Sequence, residues 1–323
     1  MRGRPLITIL YHNKRFHVSL LPPSTADTIE GPLIARFELL GEKDEDVDNI
    51  QAAQDEIGFI VYEAGKSIWS QLAPPFPGEG EKPSGLQSHL YPETFTFRFI
   101  TKNKKAELIR HEIEDFDAYD HDPRPDMTII NNMGLPQYSS KDICVLESLV
   151  GQGYITRVLV EGREMCCKAG VEAFSRGIER EFHYLRKVAI SEIVDSIRVP
   201  RLLGLVTSAE TGMIIGILEE YIPTGELYNL RLLEDEHEDI EASPEKRQKW
   251  AAQTRETVDL LHKIGVIWGD GKPDNVLIHE VTDDAWIIDF GGSYTNGWVD
   301  QELMETQEGD EQAVGKIVEF LKI

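Results

Sequence analysis

The sequence predicts an α+β chain in two parts: a β-rich region over residues 1–135 and a second region over 138–323, in which strands give way to helices. Three observations carry the prediction. Paired strand-like runs flank short polar turns in the first part. In the second, strand-like runs around a glycine pair lead into a two-faced helix, and the last third sets a long helix beside short strands. At 323 residues and 41% hydrophobic, the chain can build two modest domains or one large one, each with a proper core.

In the first part, "LITILYHNKRFHVSLL" reads as two strands around "HNKR". "ETFTFRFITKNKKAELIRHE" reads as two more around "KNKK", with apolar alternation in "FTFRFI". Between them, "DVDNIQAAQDEIGFIVYEAGKSIWSQL" suits a helix, although the "FIV" run leaves its type open. "APPFPGEGEKPSG" is a loop, and the acidic "EDFDAYDHDPRPD" a linker or exposed connection. No constellation in this part suggests chemistry.

In the second part, two strand-like runs flank "GQG", and a third, "EMCCKA", follows "EGR". Gly151 and Gly153 permit close approach of backbone to a ligand and suit a flexible lid over phosphates; a glycine pair in a hairpin is also an ordinary turn. The helix near Arg176 to Val188 places Ile178, Phe182, Leu185 and Val188 on one face, and Glu181 falls inside that apolar stripe. A carboxylate there requires a partner, and Lys168 is the natural one. Strand alternation puts Cys166 and Lys168 on one face and Cys167 on the other, so the adjacent thiols diverge. "TGMIIGILEEYIPTGELYNL" reads as a strand entering a Pro-Thr-Gly turn. Ser243 caps a helix with Pro244 at its first position, Trp250, Thr254, Val258, Leu261 and Ile264 along one side, and Gly265 at its end. "NVLIHEVTDDAWIIDFGG" then reads as two strands around "VTDD".

The formal charge of −24 comes from acidic patches such as "GEKDEDVDN" and "LEDEHEDIE". These patches argue against a nucleic-acid-binding surface, because phosphate neutralisation needs clustered Lys and Arg, so no nucleic-acid partner is expected. The apolar runs are short, and neither a membrane span nor a secretory signal is read. Three cysteines form no disulfide framework, which makes a reducing, cytoplasmic setting the expectation. An anionic ligand must therefore be met by local cations, which draws attention to each lysine beside a phosphate-handling motif.

"WGDGKPDNVLI" is such a motif, although Gly, Asp, Lys, Pro and Asn before "VLI" also describe a surface loop entering a strand. Phosphoryl transfer needs positioned phosphates, cations on the developing charge and an acceptor for the attacking hydroxyl's proton. Asp270 suits the last role, and Lys272, two residues on, can reach a γ-phosphate. Asn275 and Asp289 are hard oxygen donors suited to Mg²⁺, and the hairpin between them would bring both to one edge.

Residues 138–323 resemble a eukaryotic-type protein kinase domain. The glycine-loop pattern GxGxxGxV appears as "GQGYITRV", with Gly151, Gly153 and Val158 matching and Thr156 in place of the third glycine. Lys168 stands at the strand lysine, Glu181 and Leu185 at the helix glutamate and the leucine four residues on. Asp270, Lys272 and Asn275 occupy a catalytic loop, and "DFG" is intact at Asp289 to Gly291. The resemblance implies a bilobal kinase-like fold (N-lobe 138–221, C-lobe 222–323), ATP and Mg²⁺ as cofactors, and a protein or small-molecule hydroxyl acceptor. It further implies backbone contacts to adenine at Glu220 and Ile222, with Cys166 and Leu277 against the two ring faces.

Departures accompany the match. Trp268 and Gly269 replace His and Arg, so no clamp for a phosphorylated activation loop is evident. Glu219 at the gatekeeper position is odd for an apolar pocket. No APE motif follows "DFG", and the expected C-lobe is truncated, although Asp310 and Gly315 resemble the start of the family's central lobe helix. With "DFGG" followed by "GWVD", the chain is similar to compact kinase-like proteins of filamentous fungi. Three readings follow: a Ser/Thr-type protein kinase, favoured by Lys272; a small-molecule phosphotransferase of the choline or aminoglycoside kinase sort, favoured by Gly269; and a silent nucleotide-binding scaffold.

Overall fold

The computed structural model describes residues 6–12, 14–23, 27–40, 47–74, 84–111, 134–150, 154–169, 175–234 and 242–323. The chain packs as two units, one of residues 1–84 and 88–119, the other of 85–87 and 120–323. The Pro/Gly-rich stretch, the acidic connection, and Gly151 and Gly153 fall mainly or wholly outside the described residues.

In the first unit, β1 (Leu6–Tyr11) and β2 (Lys14–Leu20) form a hairpin. Helices α1 (Glu30–Leu40) and α2 (Val47–Leu72) follow. The "FIV" run is helical: Ile57, Val61 and Trp69 share one buried face of α2, packed on Phe16, Val18, Phe97 and Phe99 of the sheet. After the short strand β3 (Ser84–Gly85) and helix α3 (Leu86–Leu90), β4 (Glu93–Lys102) pairs parallel to β2 and antiparallel to β5 (Lys105–Arg110), giving the order β1-β2-β4-β5. The parallel pair explains the helices, since such strands need a long crossover.

The second unit takes in residues 85–87, through which β3 joins its sheet, and continues with β6 (Gln137–Ser139), β7 (Cys144–Val150), β8 (Ile155–Val160) and β9 (Arg163–Ala169). Helix α4 (Ser175–Ala189) precedes β10 (Leu202–Thr207) and β11 (Ile214–Glu220). The sheet order is β3-β7-β8-β9-β11-β10-β6, antiparallel from β7 to β10, with β6 parallel on the edge. The turn joining β8 to β9 is the two residues Glu161 and Gly162, both at positive φ, as a tight hairpin requires. That turn fixes the register: Arg157 faces Cys166, Ile155 faces Lys168, and Val158 faces Met165.

Past Glu220 lie β12 (Thr224–Asn229), α5 (Pro244–Lys263), β13 (Val276–His279), β14 (Ala285–Ile287) and α6 (Gln307–Phe320). The Ser243 hydroxyl caps α5 by accepting from Lys246 N–H, and Gly265 ends the helix at φ +70. One core joins the α4 stripe (Ile178, Phe182, Leu185, Val188) and Ile217 of β11 to Trp250, Val258 and Leu261 of α5 and to Val314, Ile317 and Leu321. The sheet and the helical part are thereby held against α4, whose polar edge borders the site. Among the described residues no helix is long and apolar enough to cross a membrane.

Candidate active site

Lys168 leaves the face of β9 that looks toward α4, and its Nζ lies 2.5 Å from Glu181 Oε1. Both side chains are buried, as is Glu219 of β11, whose Oε2 lies 3.4 Å from the same Nζ. Register explains the third member: Glu219 pairs with Cys166 and Ile217 with Lys168, so all four side chains share one sheet face. Burial works to lower the Lys168 pKa, but Glu181 and Glu219 carry it well above its ordinary value. Burial raises Glu181, with Lys168 opposing, and pushes Glu219 up to about 8. One ammonium thus serves two carboxylates. Among the described residues Glu219 Oε1 has no hydrogen-bond partner, which leaves Glu219 the natural holder of a proton.

Glu181 Oε1 also accepts from Phe290 N–H at 3.2 Å, which brings the Asp289–Gly291 turn to Lys168. Asp289 sits at φ +63, in the left-handed region that Asp tolerates better than most side chains, and its Oδ1 accepts from Gly291 N–H at 3.2 Å. β13 and β14 pair at Val276 and Ile287, and Asn275 O accepts from Ile288 N–H at 3.1 Å. The hairpin accordingly sets Asn275 and Asp289 near one edge.

Asp270 is buried, and each carboxylate oxygen is used: Oδ2 accepts from Lys272 Nζ at 2.7 Å and Oδ1 from Thr295 Oγ1 at 2.8 Å. Lys272 Nζ donates to Thr295 Oγ1 as well, at 2.9 Å, closing a triangle. Asn275 Nδ2 donates to Asp270 O at 2.9 Å, which turns the amide oxygen of Asn275 away from that carbonyl. Asp310, near the start of α6, braces the loop from beneath. Its oxygens accept from Trp268 N–H and Gly269 N–H, both at 2.8 Å, and lie 2.8 Å from His262 Nε2. Thr306 caps α6 by accepting from Gly309 N–H, and so fixes the turn from which Asp310 projects.

Of the residues expected to meet a nucleotide, Cys166 shares the Lys168 face, Ile222 follows β11, and Leu277 lies on β13 opposite Trp286. Glu220 ends β11, with its N–H donating to Arg201 O at 2.8 Å. Val158 is a correction. Paired with Met165, it is fully buried on the opposite face from Lys168, and β8 presents Ile155 and Arg157 there instead. The glycine pattern was matched by spacing alone, whereas the Glu161–Gly162 turn decides which face each residue takes.

A comparison with protein families matches the protein kinase domain over residues 147–310, just over half of the chain. The chain belongs to the protein kinase family. Two serine/threonine-protein kinases of Arabidopsis thaliana are similar to it. One is 27% identical over 146 residues, 44% of this chain and 24% of that protein. The other, serine/threonine-protein kinase OXI1, is 31% identical over 127 residues, 38% of this chain and 28% of its own length. The match thus spans about a quarter of each relative. Within this kinase domain, sequence reasoning missed Thr295, Arg180 and His262. Thr295 lies in a stretch with no periodicity, and its signal is only its distance of six residues from Asp289.

Proposed function

We propose that this kinase domain transfers the γ-phosphate of ATP to a hydroxyl acceptor, in the manner of a Ser/Thr protein kinase. The observation that carries the reading is the triangle of Asp270, Lys272 and Thr295, a buried carboxylate held between a cation and a hydroxyl two and twenty-five residues away. In this reading Asp270 orients the acceptor hydroxyl and takes its proton, which general-base catalysis rewards by roughly 10²- to 10⁴-fold. Lys272 offers positive charge to the phosphoryl group in transit, and Thr295, bonded to both side chains, fixes their orientation. Lys168, fixed by Glu181, would hold the non-transferred phosphates.

Asn275 and Asp289 suit Mg²⁺: both are hard oxygen donors, and the Asn275 amide engages Asp270 O through its Nδ2–H, on the side away from its oxygen. The ion would supply charge neutralisation on the phosphates. Ile222 and the end of β11 would meet the base along their backbone, with Cys166 and Leu277 as apolar walls.

The names of the two relatives support a protein acceptor. Gly269, the residue that favours a small-molecule acceptor, has a separate structural reason, given below. Release of ADP from Mg-ATP, measured with peptide and with metabolite acceptors, tests the proposal. Asp270→Asn is expected to lower turnover by at least ~10²-fold; equal turnover in the variant would remove catalysis from this site.

A further inference from the structure

We propose that Arg180 of α4 is a positioning residue that holds the Asp270 loop and the Asp289–Gly291 turn together without a phosphorylated segment, in space that Gly269 and Gly292 leave for it. This rests on the phosphotransfer reading of the same site.

Arg180 Nη1 donates to Phe290 O and to Trp268 O, the latter at 3.2 Å, and Nη2 to Ile267 O at 3.4 Å. One guanidinium therefore joins two segments to α4, as only a planar fork with several donors can. The next residue, Glu181, accepts from Phe290 N–H. Both polar groups of the Phe290 backbone are thus gripped by consecutive residues of one helix. Tyr184 lies under Arg180, ring centroid to guanidinium carbon 4.6 Å, and Lys187 donates to Gly265 O at 3.0 Å. At steps of four and three residues, Arg180, Tyr184 and Lys187 form one stripe of α4 running along residues 265–268.

The glycines complete the fit. A Cβ at Gly269, whose φ is +90, would stand 2.4 Å from Arg180 Nη2. One at Gly292, φ +84, would stand 3.1 Å from Arg180 Cδ and 2.4 Å from Glu305 Oε1. The positive φ at both positions favours glycine, and a Cβ there would push the guanidinium and the Glu305 carboxylate aside. Where phosphorylation orders a kinase loop, a new phosphate meets an arginine. Here the arginine comes from α4, and three of its five N–H donors bond backbone carbonyls. The opening left by Gly269 has an occupant, and the chain has no need of a modified residue to reach this arrangement.

The test uses the full chain, with and without phosphatase treatment, and the variants Arg180→Ala, Arg180→Lys and Asp259→Ala, the last an ionisable surface control on α5 outside the clamp. Wild-type turnover is expected to survive phosphatase within about twofold. Arg180→Ala is expected to lower kcat by at least ~30-fold while KM for ATP moves less than about threefold, and Arg180→Lys to regain less than about a tenth, because a point charge cannot reach three carbonyls. Loss of wild-type turnover on phosphatase treatment, or an unchanged kcat in Arg180→Ala, overturns the proposal. Hydrogen exchange decides the clamp separately. In Arg180→Ala the amides of residues 267–270 and 289–291 should exchange at least ~10-fold faster while those of α5 keep their rates, and unchanged rates at the clamp overturn it. A wild-type chain that turns over no acceptor, yet shows this exchange pattern, removes the phosphotransfer reading and keeps the clamp.

Discussion

Lys168 and Phe290, 122 positions apart in the chain, donate to the same oxygen, Glu181 Oε1, at 2.5 Å and 3.2 Å. That shared acceptor converts the position of one helix into the geometry of the whole site. If α4 shifts, the lysine and the Asp289 turn lose their common reference together.

Removing either partner of the buried pair should therefore have unequal effects. Glu181→Gln leaves Lys168 near Glu219, whereas Lys168→Met leaves two buried carboxylates with no cation. Breaking a buried pair costs roughly 3–5 kcal/mol when a charge is stranded. Urea denaturation should show Lys168→Met as the more destabilised of the two, unless a carboxylate takes up a proton, in which case the gap narrows at low pH. Both should lose nearly all ATP turnover.

Glu219 gives a pH dependence of defined sign. Its pKa stands at about 8 in the folded chain against an ordinary 4.5, so folding takes up a proton between those values. Stability from this group is complete at the acid end of the window and is lost as pH rises toward about 8. Glu219→Gln should remove that slope and stabilise the nucleotide-free chain at pH 8 relative to wild type by on the order of 1–3 kcal/mol, read from denaturation at pH 5.5 and 8. Parallel curves for the two proteins would show that Glu219 is ionised throughout.

Thr295→Ala removes a hydroxyl that bonds both Asp270 and Lys272. Hydrogen bonds to charged groups are worth about 1.5–3 kcal/mol, so turnover should fall by roughly 10- to 10²-fold, with Thr295→Ser recovering most of it. A steady-state assay at saturating ATP reads the difference.

For the metal, ATP should raise the thermal midpoint further when Mg²⁺ is present, and Asp289→Ala should abolish that increment while leaving the part due to ATP alone. An untouched increment in the variant would remove Asp289 from the metal site.

Much of this was legible in the chain because it depends on periodicity. Glu181 announced itself as a carboxylate inside an apolar helical stripe, and Cys166 and Lys168 as alternate residues of one strand; both patterns are local and survive into the packed sheet. Val158 shows the limit. Spacing from the glycines placed it with the ligand, but a two-residue turn on its far side decides parity, and only the pairing of Val160 with Arg163 reveals the face. Arg180 was invisible for another reason: its acceptors lie 87 to 110 positions away and are backbone atoms, which carry no residue signature. The oddity of Glu219 was plain from its position, while its company with Lys168 required the register of β9 and β11.

Trp268 has a practical consequence. Its indole is wholly enclosed, and Nε1–H donates to Ile288 O at 2.9 Å, one residue before Asp289. A fluorophore is thus built into the segment leading to Asp270 and tethered to the strand leading to Asp289. With the other four tryptophans replaced, emission from that ring would report whether those two stretches stay together as ligands come and go, with no dye attached.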